Sequence, residues 1–317
     1  MKLTQKIWLF RLGAFFFLPF LASSLNADGP AGRPKIAGIY SVTLKATDFD
    51  KSRVFYEKVL GLDPGKAGCA GVTHPCYAIN SAQHVELIQA RPGDRGSFLS
   101  EIAFAVSDAK QMQKYLEENG VHTSPISRLP NQARFVETED PEHNRIAFVE
   151  SPGTAETPVH EGQEKGRDGV EKQVSHEMLH AGFVVKNLET MKKFYQGLLG
   201  FRLYWYGGFK DDGVDWYEIQ VPDGNNWVEF MLNIAPTADH QELGVQNHFS
   251  LGVRDAGAAA AQLRAHGATA FDGPEVGRDG KNSLDIYDPD LSRVEVMEFV
   301  PSQTPCCHAY TAAHPRH

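Results

Sequence analysis

Four residues in the second half of the chain have side chains that could bind a metal ion: His180, Glu229, His248 and Glu295. Each lies in a short apolar segment typical of a β-strand, and the segments read HAGFVV, WVEFML, HFSLGV and RVEVMEF. The separations of 49, 19 and 47 residues give the order His–Glu, His–Glu. Imidazole and carboxylate together suit a divalent first-row metal, and two histidines with one carboxylate are the ligands of many non-haem iron sites. We therefore expect a metal centre built from four strands.

An internal repeat supports this interpretation, because the four residues lie at matching points of two similar blocks. Residues 49–61 (FDKSRVFYEKVLG) and 188–200 (LETMKKFYQGLLG) share an FY pair and a closing glycine. Residues 108–120 (DAKQMQKYLEENG) and 255–267 (DAGAAAAQLRAHG) both run from a capping Asp to a terminating Gly. Each block is predicted to contain a strand, a helix and several further short strands. The four blocks cover roughly residues 38–90, 97–151, 178–233 and 246–300.

This arrangement resembles the vicinal-oxygen-chelate superfamily, which includes glyoxalase I, extradiol dioxygenases and bleomycin-resistance proteins. The resemblance implies an α+β fold in which four βαβββ modules pair into two cup-shaped domains. It also implies that the metal ligands come from the first and last strands of each module, so that His180 and Glu229 belong to the third module and His248 and Glu295 to the fourth. The expected organisation is a signal peptide (1–27), an N-terminal domain (38–151), a linker (152–177), a C-terminal domain with the metal site (178–300) and a tail (301–317).

The first half of the chain provides an internal comparison. The repeat places Ser41, Glu86, Glu101 and Ala147 opposite His180, Glu229, His248 and Glu295, respectively. Both histidines and the last glutamate are missing, so we expect the N-terminal domain to have a degenerate metal site. Glu86 recurs without the other ligands. Two interpretations of Glu229 therefore stay open: a metal ligand, or a strand residue that simply recurs with the repeat.

A metal ion held by these side chains would keep two or three coordination positions for a substrate with two neighbouring oxygens. Fe(II), Mn(II), Ni(II), Co(II) and Zn(II) all accept such ligands, so we expect one divalent ion of undetermined identity. The full His–Glu–His–Glu set resembles that of glyoxalases, in which a ligand glutamate also moves a proton next to a carbonyl group. On that resemblance, Glu295 and Glu229 are the candidate catalytic bases of a lyase- or isomerase-type reaction.

Two other functions stay open. Tandem domains with a degenerate first half also resemble extradiol dioxygenases, which would use a His-His-Glu site to cleave an aromatic ring. The dioxygenase pattern includes a His and a Tyr ahead of the last ligand. Here Asp285 takes the Tyr position, and residues 278–281 contain no His. An alternative of another class is a bleomycin-resistance-like protein that sequesters a ligand without turnover.

The first 27 residues are typical of a secretory signal peptide. Three basic residues precede an apolar run at residues 12–25, and small and polar residues follow it. The run is short for a membrane span and is interrupted by Pro19. We therefore expect a secreted or periplasmic protein with no stable membrane span after cleavage. An uncleaved membrane anchor is the alternative.

Composition limits the range of partners. A chain of 317 residues with 42% hydrophobic content is long enough for two domains with hydrophobic cores. Its formal charge of −9 and pI near 5.8 argue against a nucleic-acid partner, since no basic stripe is present. We expect a small-molecule substrate with vicinal oxygens, and a monomer or homodimer.

The four cysteines and the predicted linker each lead to a further expectation. Cys69 and Cys76 could form a disulfide in an oxidising compartment. The adjacent Cys306 and Cys307 could belong to a small metal site in the tail or be neighbours by chance. The predicted linker is almost free of apolar residues, so we expect it to be an exposed strap.

Overall fold

The computed structural model describes residues 32–64, 69, 74–151 and 172–315. The predicted signal peptide and residues 152–171 of the predicted linker lie outside this part of the chain. Among the described residues, no helix is long and apolar enough to cross a membrane. These residues form two curved mixed sheets with a few short helices, which confirms the predicted α+β fold.

The described part of the first half forms a seven-stranded sheet in the order β2-β3-β1-β4-β7-β6-β5. Its elements are β1 (Ile36–Ala46), α1 (Phe49–Arg53, continued by the π-helical Val54–Val59), β2 (Cys76–Ala78), β3 (His84–Gln89), β4 (Leu99–Val106), α2 (Ala109–Glu118), β5 (Ser127–Arg128), β6 (Arg134–Glu139) and β7 (Arg145–Glu150).

The described part of the second half forms an eight-stranded sheet in the order β13-β14-β15-β12-β8-β11-β10-β9. Its elements are β8 (Met178–Val184), α3 (Leu188–Lys192, continued by the π-helical Lys193–Leu198), β9 (Arg202–Gly207), β10 (Trp216–Gln220), β11 (Trp227–Met231), α4 (His240–Gln246), β12 (His248–Val253), α5 (Ala256–Ala265), β13 (Asp272–Val276), β14 (Asn282–Tyr287) and β15 (Arg293–Glu298).

The helices of the repeat begin and end at equivalent residues. A side-chain oxygen just before each helix accepts hydrogen bonds from backbone N–H groups of the first turn, as expected of a helix cap. The capping residues are Asp48, Asp108, Asn187 and Asp255. Each helix is followed by a glycine with positive φ, a conformation that glycine adopts without steric cost. These glycines are Gly61, Gly120, Gly200 and Gly267.

Strand pairing brings the four ligand-bearing strands together. The first strand of each module pairs in parallel with the last strand of the same module, β8 with β11 and β12 with β15. Strands β8 and β12 pair antiparallel at the centre of the sheet. The central order β11-β8-β12-β15 therefore sets the strands that carry the predicted ligands side by side. The first half repeats this arrangement with β1, β3, β4 and β7.

The two halves share one hydrophobic core, and two buried tyrosines bridge them reciprocally. The Tyr56 hydroxyl donates to Asp288 at 3.0 Å, and the Tyr195 hydroxyl donates to Asp140 at 3.2 Å. Each tyrosine belongs to the FY pair of one half, and each aspartate to the Asp-Pro turn of the other half. The repeat thus supplies both partners of both contacts. Through these hydrogen bonds the first half stabilises the sheet that carries the predicted metal site.

The end of the predicted linker is more buried than its composition predicted. Gln173, Val174 and Ser175 are all buried. The prediction of an exposed strap is wrong for these three residues, because the Gln173 amide donates to a backbone carbonyl of the first half at 2.6 Å and Val174 joins the shared core. His176, the next residue, is exposed.

The C-terminal tail lies against strand β9 as far as it is described. The indole N–H of Trp205 donates to the carbonyl oxygen of His308 at 2.9 Å. The Tyr204 hydroxyl and His314 Nδ1 are 2.7 Å apart. Tyr204 and Trp205 are almost fully buried, so the tail covers the aromatic edge of the second sheet.

Candidate metal centre

The predicted ligands lie on one patch of the second sheet. They are His180 on β8, Glu229 on β11, His248 on β12 and Glu295 on β15. Ser250 is directly opposite both His180 and Glu295, while Gly182 is directly opposite both His248 and Glu229. Residues opposite each other on neighbouring strands share a face, and so do residues two apart on one strand. All four side chains therefore leave the same face of the sheet.

The distances between the donor atoms are those of a compact cluster. The Nε2 atoms of His180 and His248 are 3.0 Å apart. Glu229 Oε2 lies 3.5 Å from the Nε2 of His180 and 3.2 Å from that of His248, and Glu295 Oε2 lies 3.3 Å from the Nε2 of His180. Two nitrogen ligands about 2.1 Å from one ion and at right angles to each other would be about 3.0 Å apart. The spacing therefore fits a single ion bound by His180, His248 and Glu295, with Glu229 as a further donor in reach.

Both imidazoles are buried and neutral. His180 and His248 are 1% and 0% exposed, and burial lowers the pKa of both, that of His248 to about 3. The Nδ1 of His248 lies 3.2 Å from the carbonyl oxygen of Gln246, an acceptor that favours the tautomer with Nε2 unprotonated. Since a metal ion binds the unprotonated nitrogen of a neutral imidazole, the two histidines have the charge state that metal binding requires.

The two carboxylates differ in charge. Burial raises the pKa of Glu295 to about 8, so this group carries a proton at neutral pH. Burial acts in the same direction on Glu229, but hydrogen bonds from His180 and His248, made when their Nε2 atoms carry the ring proton, outweigh it and hold the pKa of Glu229 below its usual range. An incoming cation would therefore meet one ionised carboxylate and displace a proton from the other.

A glycine makes room for one of the ligands. A Cβ atom at Gly182 would lie 2.2 Å from Cε1 and 2.6 Å from Nδ1 of His248, closer than real contacts allow. The imidazole therefore occupies space that any other residue on β8 would fill. The geometry of the cluster depends on Gly182 as well as on the ligands themselves.

A guanidinium group lies directly beside the cluster. Arg293 Nη2 is 2.9 Å from each ring nitrogen of His248, and Arg293 Nη1 is 3.3 Å from the carboxylate of Asp285. Because Nη2 is equally far from both ring nitrogens, it does not point along the Nε2 lone pair, and Arg293 acts on the site as a nearby positive charge. We did not predict Arg293 from the sequence, although it lies two residues before Glu295 and strand alternation puts both side chains on one face.

A second cation, Lys281, is enclosed near the cluster by aromatic rings. Its Nζ has no hydrogen-bond partner among the described residues and lies 4.0 Å from the ring centre of Trp227 and 5.1 Å from that of Tyr204. The Trp227 ring in turn lies 4.8 Å from the ring of His180. Burial lowers the pKa of Lys281. The sequence contained no signal for this residue, since it precedes β14 and belongs to no periodic pattern.

The matched residues of the first half form no such cluster. Glu86 accepts a hydrogen bond from His84 at 2.8 Å, and Glu101 accepts one from Arg145 at 3.1 Å. Within the described part of the first half, no three side chains come together as potential metal ligands. The predicted asymmetry between the two domains is consistent with this geometry.

The four cysteines form two disulfides. Cys69 is bonded to Cys76, as the sequence predicted, and Cys306 is bonded to its neighbour Cys307. Asp211 lies close to the latter pair. Because the sulfurs of Cys306 and Cys307 are bonded to each other, neither is present as a thiolate ligand.

A profile of the Glyoxalase/Bleomycin resistance protein/Dioxygenase superfamily matches residues 38–148 and 177–296. The chain therefore belongs to this superfamily, and the match divides it into the same two halves as the repeat. Membership, together with the clustered donors, makes the protein a metal-dependent enzyme of the dioxygenase or glyoxalase-like type. A comparison with curated protein sequences gives no significant match.

Solved structures share the fold over both halves. A variant of homoprotocatechuate 2,3-dioxygenase from Brevibacterium fuscum superposes with a TM-score of 0.64 at 19% identity, over 90% of this chain and 76% of that one. The 2,3-dioxygenase LapB from Pseudomonas sp. KL28 superposes with a TM-score of 0.61 at 16% identity, over 89% of this chain and 95% of that one. At such identities the likeness establishes a common two-domain architecture, while the chemistry must be argued from the site.

Proposed function

We propose that this protein is a metal-dependent lyase or isomerase that binds a small substrate through two neighbouring oxygens and moves a proton next to one of them. The observation that carries the proposal is the position of Glu229, whose Oε2 lies within 3.5 Å of the Nε2 atoms of both histidines. Glu229 adds a second carboxylate to the trio of His180, His248 and Glu295. Three donors can then hold the ion while one carboxylate is available as a base.

Each residue of the cluster has a role in this proposal. A divalent ion would polarise a substrate carbonyl and stabilise negative charge on its oxygen. The neutral imidazoles of His180 and His248 would hold the ion, and Glu229 or Glu295 would accept the proton. The four residues are at most 9% exposed, so little water competes for the proton.

Proton exchange tests this proposal directly. The protein is loaded with Co(II), Ni(II) or Zn(II) and incubated in D₂O with small 2-oxo and 2-hydroxy acids, and loss of the α-proton signal is followed by NMR. We expect exchange in the wild type and a loss of about 100-fold or more in the Glu229→Gln and Glu295→Gln variants. Glu86→Gln is the matched control, because Glu86 occupies the position of Glu229 in the first half. Exchange that persists in both site variants would contradict the proposal.

A second candidate is an extradiol dioxygenase with a His-His-Glu site. It is favoured by the architecture of the structural neighbours, which are dioxygenases of the same two-domain fold. Another such neighbour is an anaerobic complex of homoprotocatechuate 2,3-dioxygenase with 3,4-dihydroxyphenylacetate. It covers 90% of this chain at 19% identity with a TM-score of 0.61. Oxygen uptake by the Fe(II)-loaded protein with a panel of catechols, without α-proton exchange, would show that the protein is a dioxygenase and not a lyase or isomerase.

Export is a separate proposal that rests on the N-terminal sequence. We expect the mature chain to begin after the apolar run and to be secreted or periplasmic. Mass spectrometry of the protein from separate cell fractions tests this expectation. An intact N-terminus in the cytoplasmic fraction would contradict it.

A further inference from the structure

The first half contains a cavity at the place where the second half has its metal cluster. The cavity has a volume of about 420 Å³ and is lined by strands β1, β3, β4, β6 and β7. Its lining includes Ser41, Glu86, Glu101 and Ala147, the residues that the repeat matches to the four predicted metal ligands. Two histidines and one glutamate of the second half thus have no counterpart here, but the first half has a pocket of ligand-binding size at the matching place.

Four charged groups line this cavity, and three of them are acidic: Glu86, Glu101, Glu137 and Arg145. Arg145 Nη2 donates to Glu137 at 2.6 Å and to Glu101 at 3.1 Å, so one guanidinium is shared by two carboxylates. Among the described residues, no ion pair links the third carboxylate, Glu86, to a lysine or arginine, and its partner is the imidazole of His84 at 2.8 Å. The group therefore has an excess of negative charge.

A buried imidazole behind the cavity wall is incompletely paired. His84 is fully buried beside two cavity-lining residues, with its ring 5.0 Å from that of Tyr40 and its Nε2 against Glu86. Its Nδ1 has no hydrogen-bond partner among the described residues. Burial raises the pKa of Glu101 to about 7 despite the adjacent Arg145. The Glu101 carboxylate, which does line the cavity, is better satisfied when a further hydrogen-bond donor or positive charge is present.

The rest of the cavity wall is apolar. Tyr40, Ile88, Leu129, Phe135 and Val149 surround the charged groups. A wall of this kind buries a ring or a short aliphatic chain, while the carboxylates orient a polar head group.

We propose that the first half is a binding domain for a small organic cation, an amine with an aromatic or aliphatic body, whose head group pairs with Glu101 and Glu86. The apolar wall receives the body of the molecule, and the excess carboxylates exclude anions by like-charge repulsion. This inference does not depend on the proposed reaction, because none of its residues belongs to the metal cluster.

Calorimetric titration of the full chain tests the proposal with three probes of one shape: 2-phenylethylamine, 2-phenylethanol and phenylacetate. We expect the amine to bind and the other two to bind at least about tenfold more weakly. Equal binding of the three probes, or no binding of the amine, would overturn the inference.

Variants locate the site. Glu101→Gln should weaken amine binding about tenfold, since it removes a buried charged partner. Ala103→Phe should abolish binding, because Ala103 lines the cavity and a phenyl ring would fill it. Glu118→Gln is the matched control, as Glu118 is an exposed acid on α2 and its loss changes net charge by the same amount. His248→Ala should bind the amine normally. Amine affinity unchanged by Glu101→Gln and Ala103→Phe would place the ligand elsewhere and refute the proposal.

Discussion

Replacement of Gly182 by alanine tests how the metal cluster is built. Gly182 lies on β8, directly between the strands that carry Glu229 and His248. The new methyl group would lie 2.2 Å from Cε1 of His248, whereas ordinary contacts begin at 3.4 Å. The imidazole must therefore move by about 1.2 Å, the difference between these two distances. The backbone at Gly182 has no positive φ, so alanine adds no conformational strain of its own.

The magnitude follows from the tolerance of metal coordination. Metal–ligand distances are kept within about 0.2 Å, so an imidazole displaced by this much no longer binds the ion. Apparent binding free energies of structural zinc sites are about 10–16 kcal/mol, which is roughly 2.5–4 kcal/mol for each of four ligands. Loss of one ligand should therefore weaken metal binding by about 100-fold or more.

Competition with a chromophoric chelator during Zn(II) or Co(II) titration measures this affinity, and circular dichroism verifies that the variant is folded. The matched control is Gly197→Ala, because a Cβ at Gly197 would meet nothing within 4 Å. We expect metal binding by this control to equal that of the wild type. A folded Gly182→Ala protein with wild-type metal affinity would show that His248 is not a ligand, and the geometric reasoning would be refuted.

The first half, two charged side chains of the second half and the first disulfide can each be tested separately. Glu101→Ala should leave metal content unchanged in elemental analysis, and loss of metal would mean that the halves have been assigned the wrong way round. Arg293→Gln should strengthen Zn(II) binding about fivefold in chelator competition, because removing a nearby positive charge stabilises a bound cation by at least about 1 kcal/mol; weaker binding would show that Arg293 supports the site. Burial raises the pKa of Asp288 to about 6, so the folded protein retains a proton that the unfolded chain loses near pH 4, and stability falls as pH rises between these values. Asp288→Asn removes this effect. The free energy of unfolding of the variant minus that of the wild type, measured by urea denaturation, should therefore be about 2 kcal/mol higher at pH 7.5 than at pH 4.5. An equal difference at both pH values would contradict this prediction. Cys69 and Cys76 should react with iodoacetamide only after reduction, and labelling of the native protein would disprove the disulfide.

Much of the fold could be predicted because the chain repeats its local signals. Capping residues such as Asp108 and Asp255 and terminating glycines such as Gly120 and Gly267 occur at the same spacing in different modules. These signals act within a few residues of the chain, so they are visible without knowledge of the tertiary structure. The ligand strands could be predicted for a similar reason, since each is a short apolar segment interrupted by one polar residue.

Other features depend on contacts between distant parts of the chain. Lys281 is buried because Tyr204, Trp227 and the tail residue Tyr310 enclose it, and these residues come from three separate segments. Val174 is buried because it reaches the core shared by the two halves, although its neighbours in sequence are polar. Local composition carries no information about such contacts, so the sequence alone could not indicate them.

The claim that His248 belongs to a metal centre is tested most directly by metal content. Wild-type protein and His248→Ala are loaded with Zn(II), freed of excess metal and measured by elemental analysis. We expect about one ion per chain in the wild type and none in a folded His248→Ala protein. One tightly bound ion retained by the variant, or no ion in the wild type under any loading, would contradict it.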